Sequence, residues 1–109
     1  MNAVRVSIFI NESDRFHGRA LHLELLQALG KEGIAGATVL RGVAGYTRSA
    51  GISTTSLVDA GGMLPLVIEF IDAPEHVERI LPMVKTMIGK RLITTSAVEI
   101  RHGGTFEQH

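Results

Sequence analysis

Positive charge and glycine meet twice along this chain, and both places have the chemistry of anion binding. Residues 87–92 read "MIGKRL", where Gly89 frees the backbone and Lys90 and Arg91 set two cations beside it. Such a pairing suits a phosphate or a carboxylate. It equally suits the end of a helix, where glycine caps and cations face the negative pole of the dipole. It is not a P-loop, because the upstream glycine and the Ser or Thr after the lysine are missing. The second place is residues 41–62, "RGVAGYTRSAGISTTSLVDAGG", with Arg41 and Arg48, five glycines (Gly42, Gly45, Gly51, Gly61 and Gly62) and Tyr46 as its aromatic. Connections in compact domains run to about 4–6 residues, so a stretch of this length is either a functional loop or a passive extended hairpin. Its glycines favour mobility or close approach of the backbone to a ligand. Tyr46 offers a ring that stacks on a flat ligand or pins the base of the loop.

Other candidate groups have weaker patterns. Histidine occurs at positions 17, 22, 76, 102 and 109. No two of these histidines have i,i+4 or HxH spacing, and no cysteine partners them, so no metal site is expected. His22 falls on the apolar side of its helix and reads as an edge-of-core residue rather than a ligand. Glu12 and Asp14 in "NESDR" would make an acid–base pair, but helix capping explains them more simply. No Ser-His-Asp order or G-x-S-x-G context appears, and catalysis is not expected.

The elements that must hold these residues follow from periodicity. Residues 3–10 alternate Val4, Val6, Ile8 and Ile10 against Arg5, Ser7 and Phe9, a half-buried strand. "NESDR" then supplies Ser13 or Asp14 as an N-cap, and residues 16–33 read as a helix with Leu21, Leu25, Ala28 and Leu29 on one face and Gly33 as its stop. Residues 36–43 form a second strand and 64–72 a third. Residues 74–88 make the cleanest helix, with Pro74 in its first turn and Val77, Ile80, Leu81, Val84, Met87 and Ile88 on one arc. Pro82 lies on its polar side and predicts a mild bend. Residues 91–101 are the last strand, and 103–109 a loose tail. The order β-α-β-β-α-β is the ferredoxin-like arrangement, an α+β fold with two helices on one face of a four-stranded antiparallel sheet. The sheet's other face mixes Phe9, Val67, Ile71, Ile93 and Ala97 with Arg5, Glu69, Glu99 and Arg101, and such a face usually meets another subunit.

The whole chain sets outer bounds. Its 109 residues suit a single domain. Eleven basic and eleven acidic side chains balance, which argues against a dedicated nucleic-acid binder but not against a local anion site. Cysteine is absent, so disulfides and thiolate metal sites are excluded and a reducing, cytoplasmic setting fits. The start reads as a strand and not a signal peptide. The longest apolar run, "LPLVIEFI", is far short of the ~20 residues that span a bilayer.

Taken together, "NESDRFHG", "GIAGATVLRGVAGY", "LPLVIEFID" and "LITTSAVEI" are similar to a bacterial and archaeal PII-like family catalogued as a domain of unknown function. The resemblance covers roughly residues 4–101, and "GATVLRGVAGY" is its most specific piece. It implies one PII-like domain over 1–102 that assembles as a homotrimer with sheets facing inward. It also implies a T-loop-like segment, 43–62, that reaches toward a protein partner. In that superfamily adenine nucleotides or other small anions bind between subunits and change the loop's conformation. Carried over by position, Arg41, Gly42, Gly45, Tyr46 and Arg48 would form the loop base. Gly89, Lys90 and Arg91 would stand at the phosphate-binding connection, and Arg101 with His102 at the C-terminal cations. Two departures are visible: the connection after the second helix is shorter than the Gly-Asp-Gly-Lys loop of true PII proteins, and residues 45–56 place no tyrosine at the loop tip, where some of those proteins are modified.

The resemblance thus implies a regulator with no cofactor that binds a small anion and engages a partner through 43–62. A membrane transporter or channel is a thinkable partner, since relatives are often encoded near small ion channels. The rival expectation is a small enzyme of the dimeric α+β barrel type using His17, His22 or Tyr46. A third is an interaction module that needs no ligand.

Overall fold

A computed structural model of the protein describes residues 1–47, 51–54 and 64–103, Thr47 and the segment 51–54 by backbone alone. Chain order gives β1 (Asn2–Asn11), β2 (Arg15–Phe16), β3 (Arg19–Ala20), α1 (Leu21–Lys31), β4 (Ala37–Arg41), β5 (Ala44–Thr47), β6 (Gly51–Thr54), β7 (Pro65–Asp72), α2 (Pro74–Ile88) and β8 (Leu92–Glu99). The main sheet has the order β4-β7-β1-β8 with every neighbouring pair antiparallel. With α1 and α2 on one face, this is the α+β, ferredoxin-like fold read from the sequence.

Alternation in β1 and β7 builds the core. Val6, Ile8 and Ile10 stand opposite Phe70, Ile68 and Leu66. Against them pack Leu21, Leu25 and Leu29 from α1 and Val77, Ile80, Val84 and Ile88 from α2. Each of these side chains contributes about 1.5–3 kcal/mol by leaving water. α2 starts with Pro at N1 and continues through Pro82, as expected. α1 ends in a Schellman motif: Gly33 has φ +83, its N–H donates to the Gly30 carbonyl, and the Ile34 N–H donates to the Leu29 carbonyl. Among the described residues no helix is long and apolar enough to cross a membrane.

The start and cap of α1 and the faces of β8 differ from the sequence expectation, and the long segment after β4 takes up one of its two expected forms. α1 begins at Leu21, not near residue 16, because His17 (φ 52) and Gly18 (φ 81) take left-handed conformations and turn β2 into β3. Two consecutive positive φ values are what a two-residue hairpin loop requires, and they cannot be accommodated in a helix. Neither Ser13 nor Asp14 caps α1; Ala20 takes the N-cap position without a side-chain hydrogen bond. The long segment after β4 opens as a hairpin, β5 paired with β6 from Ala44↔Thr54 to Thr47↔Gly51. Finally, β8 has the opposite face parity from that expected. Ile93 pairs with Ile8 and Ala97 with Val4, which puts both on the helix side, while Leu92 pairs with Phe9 on the open side. A slip of one residue exchanges the two faces of a strand.

Candidate functional site

The site is organised by the turn 11–14, the last residue of β1 and the three that follow it. The Asp14 N–H donates to the Asn11 carbonyl (3.0 Å), and the Asn11 N–H donates to Asp14 Oδ2 (2.8 Å). Ser13 adds its N–H and its hydroxyl to Asn11 Oδ1 at 3.0 and 2.8 Å. This closed turn leaves Glu12 and Asp14 pointing at two different arginines.

Glu12 Oε1 accepts from Arg41 Nη2 at 3.0 Å and from the Leu64 N–H at 3.2 Å. The Glu12 N–H in turn donates to the Leu64 carbonyl at 2.9 Å. One residue thus holds the end of β4 and the residue before β7, the two ends between which β5 and β6 lie. The hydrogen bond from Arg41 holds the Glu12 carboxyl below its ordinary value; burial opposes this, while the Leu64 N–H and the charges of Arg41 and His22 add to it. His22 is half-buried, and its Nδ1 lies out of solvent with no hydrogen-bond partner among the described residues.

Asp14 makes the second link. Its Oδ2 accepts from Arg91 Nε at 2.7 Å, and Arg91 Nη1 donates to the carbonyl of Ile88, the last residue of α2, at 3.0 Å. Burial pushes the Asp14 carboxyl up, but the hydrogen bonds from Arg91 and the Asn11 N–H outweigh it and hold the group low. The same hydrogen bond raises Arg91 above its ordinary value.

The turn therefore stands between the two cationic segments singled out in the sequence. Arg41, Gly42, Gly45 and Tyr46 lie on its Glu12 side, and Gly89, Lys90 and Arg91 on its Asp14 side. Gly42 and Gly45 have a packing reason: a Cβ on either would stand 2.8 or 2.9 Å from Pro65 Cγ. The Gly42 N–H also donates to the Pro65 carbonyl at 2.8 Å. Gly89 has φ +62 and caps α2, and Lys90 is exposed. Tyr46 is 76% exposed, so its ring does not pin the loop base by burial. Arg48 lies outside the described residues, as does most of the segment 43–62. Arg101 is 85% exposed, 3.5 Å from Glu99, at the far end of β8 from Arg91. Eight strand residues put about 25 Å between them within one chain.

Sequence reasoning missed two things. It treated Glu12 and Asp14 as helix caps, and their arginine partners are too distant in sequence for local spacing to reveal. It also missed a buried pair away from this site. His76 Nδ1 is 3.2 Å from Asp72 Oδ2, and His76 Nε2 is 2.8 Å from the Glu32 carbonyl at the end of α1. Here a signal existed, since Asp72 and His76 have i,i+4 spacing. Among the described residues no three His, Asp or Glu side chains gather closely enough to hold a metal ion. An open cleft of about 490 Å3 lies along the β4 edge, lined by Gly36, Thr38, Leu40, Glu69 and Ile71 among others; it does not reach the arginines.

Comparison with known proteins places the fold and the family. A UPF0166 protein of Methanocaldococcus jannaschii is 31% identical over 103 residues, which is 94% of either chain. Among solved structures, CPII, a nitrogen regulatory PII-like protein from Thiomonas intermedia bound to ADP, AMP and bicarbonate, superposes with a TM-score of 0.62 at 14% identity, over 94% of this chain and 91% of that one. GlnK of B. subtilis in complex with ATP gives 0.57 at 17% identity, over 89% and 82%. At such identities the likeness is one of fold, and the fold is PII-like. The family model DUF190, "Uncharacterized ACR", matches residues 3–100, which hold both helices and all of the main sheet but Asn2. The chain belongs to the DUF190 family.

Proposed function

We propose that this chain is the subunit of a homotrimeric PII-like regulator, acting in the cytoplasm without catalysing a reaction. A small anion, best an adenine nucleotide, binds between subunits at the end of the sheet carrying Arg41, Lys90 and Arg91. Arg101 joins that site only if a neighbouring copy supplies it. Segment 43–62, with Gly42, Gly45, Tyr46 and Arg48 at or near its base, then engages a protein partner, for which a membrane transporter or channel is the leading class. A ligand shifts such a segment only by binding one of its conformers better than another.

The observation that carries this reading is the turn 11–14, which links both cationic segments, Arg41 through Glu12 and Arg91 through Asp14. The fold adds support, because the similar CPII and GlnK structures hold ADP, AMP and bicarbonate, or ATP.

The test is the solution mass, followed by thermal shifts with ATP, ADP, AMP, cyclic nucleotides, bicarbonate and fluoride. A ligand at about 100 times its dissociation constant stabilises the folded state by about 2.7 kcal/mol. We expect a trimer stabilised by one nucleotide, with the shift reduced in Lys90→Ala, a change that leaves the Asp14–Arg91 pair in place. A trimer indifferent to every compound would remove the nucleotide from the proposal. A dimer would count against the assembly and favour the α+β barrel alternative.

A further inference from the structure

We infer that Glu12 is a built-in competitor for the anion at Arg41: the Arg41–Glu12 ion pair and a bound ligand weaken one another. This deepens the reading above, since it takes an anion to bind at Arg41.

Three features of the site lead to it. Arg41 is reachable, with half of its side chain exposed (51%), and among the described residues its side-chain hydrogen bond and ion pair are with Glu12 alone. A guanidinium grips phosphate or carboxylate best through two adjacent N–H donors at once. Nη2 carries two hydrogens and Glu12 takes one, so a ligand on the remaining donors shares the guanidinium with a carboxylate and gains its full strength only when Nη2 leaves Glu12. A Glu12 carboxylate left beside the incoming anion would also repel it.

The two carboxylates of the turn differ in what they do. Arg91 is held twice, by Asp14 and by the Ile88 carbonyl, and stays seated on the end of α2. Arg41 is held at one point. Glu12 itself does not depend on Arg41 for its position, because the Leu64 N–H donates to the same oxygen and the Glu12 N–H donates to the Leu64 carbonyl. Glu12 can therefore keep one backbone contact, to Leu64, whether it holds Arg41 or, as we infer for the ligand-bound protein, releases it. In the first case, a single oxygen ties the last residue of β4 to the residue before β7. In the second that tie is gone, and the ends flanking the β5–β6 hairpin are linked through fewer bonds. Ligand occupancy is in this way read directly at the hairpin's stem, and Glu12 acts there as a positioning residue.

The test uses inorganic pyrophosphate as the probe and nuclear magnetic resonance as the readout, following the Arg41 Nε–H and the Glu12 carboxyl carbon. In wild type, pyrophosphate should shift both signals, the carboxyl toward that of an unpaired glutamate. In Glu12→Gln, whose amide oxygen still accepts from Leu64, pyrophosphate should bind about two- to fivefold tighter, the equivalent of one lost exposed ion pair. Equal or weaker binding in the folded variant would overturn the inference. So would an Arg41 signal that does not respond in either protein. Should Glu12→Gln fail to fold, the wild-type carboxyl signal decides: movement with Arg41 supports competition, and a still carboxyl beside a moving Arg41 refutes it. The nucleotide reading fails separately. If pyrophosphate releases Glu12 and no nucleotide binds, the competition stands and the nucleotide falls.

Discussion

Asp14 Oδ2 and Arg91 Nε meet at 2.7 Å across 77 residues of sequence, and this contact fixes the α2–β8 connection to the turn after β1. With the Arg91 side chain 38% and the Asp14 side chain 19% exposed, the pair's own coupling should be modest, about 0.2–1 kcal/mol in a double-mutant cycle. Asp14→Ala should cost more than Arg91→Ala, by about 1 kcal/mol, since it also strips the Asn11 N–H of its acceptor. The sign of the pH dependence follows from the lowered carboxyls of Glu12 and Asp14. A carboxyl held low in the folded state contributes stability that is present above its ordinary value of about 4. That contribution is lost as pH falls through the folded value. Urea midpoints taken from pH 7 down to pH 2 should fall steeply at the acid end in wild type and less steeply in Glu12→Gln/Asp14→Asn. Parallel curves would mean that the pairs do not form in solution.

Pro65 accounts for two of the loop-base glycines. Its ring would meet a new Cβ at Gly42 or Gly45 at 2.8 or 2.9 Å, and a proline ring has no flexible end to yield. Gly42→Ala and Gly45→Ala should each cost about 1–3 kcal/mol, as overpacking does. Pro65→Ala should recover most of that loss in the double variants. Gly30→Ala is the control: it lies within α1 with nothing within 4 Å of the new carbon, and should stabilise by about 0.5–1 kcal/mol. If Pro65→Ala restores nothing, the glycines are there for another reason, and close approach of a ligand becomes the stronger explanation.

How much of this was legible depended on the range over which each feature is encoded. α2 and β7 were readable to within a residue, because their apolar period is long and uninterrupted. The start of α1 was not, because residues 16–20 fit the same helical period while His17-Gly18 has an equally local preference for a hairpin turn. β8 was found but with its faces exchanged. Its run Leu92, Ile93 and then Thr94 to Ala97 alternates too weakly to fix parity, and only the register against β1 settles it. For the site, residue types at 41, 89, 90 and 91 were visible as cations and glycines. Their tethering by Glu12 and Asp14 was not, because those contacts span 29 and 77 residues and no local rule reaches so far.

His76 and Asp72 are almost fully buried, at 3% and 0% side-chain exposure, and tie the start of α2 to β7 and to the end of α1. Asp72 also takes the Ala73 N–H at 2.7 Å. Replacing His76 with leucine removes both ring contacts and leaves a carboxylate in the core without its partner ring. We expect a loss of about 3–5 kcal/mol, in line with breaking a buried pair from one side. Chemical denaturation of His76→Leu beside His76→Gln measures it. A loss under 1 kcal/mol in both would show that the pair is structurally incidental.

The open face of the sheet carries one continuous apolar row. Leu40 stands opposite Val67, Val67 opposite Phe9, and Phe9 opposite Leu92, one residue from each strand. Leu40, Phe9 and Leu92 are 51%, 38% and 58% exposed in the single chain. The next row is polar, with Thr38, Glu69, Ser7 and Thr94 in register and the Ser7 hydroxyl donating to Glu69 at 3.3 Å. The apolar row ends beside Arg41 on one edge and Arg91 on the other, so a contact that covers it also brings neighbouring copies to the proposed anion site. If inward-facing sheets hold the trimer, Phe9→Lys should convert it to monomer, because a charge at the row's centre leaves water at high cost unless paired. Thr38→Lys, on the polar row at the sheet's edge, should leave the mass unchanged. Light scattering on the two variants separates the cases. An unaltered mass in Phe9→Lys would place the subunit contact elsewhere and leave the row to a different partner, whereas monomer in Phe9→Lys with loss of nucleotide binding would make assembly a condition of the site.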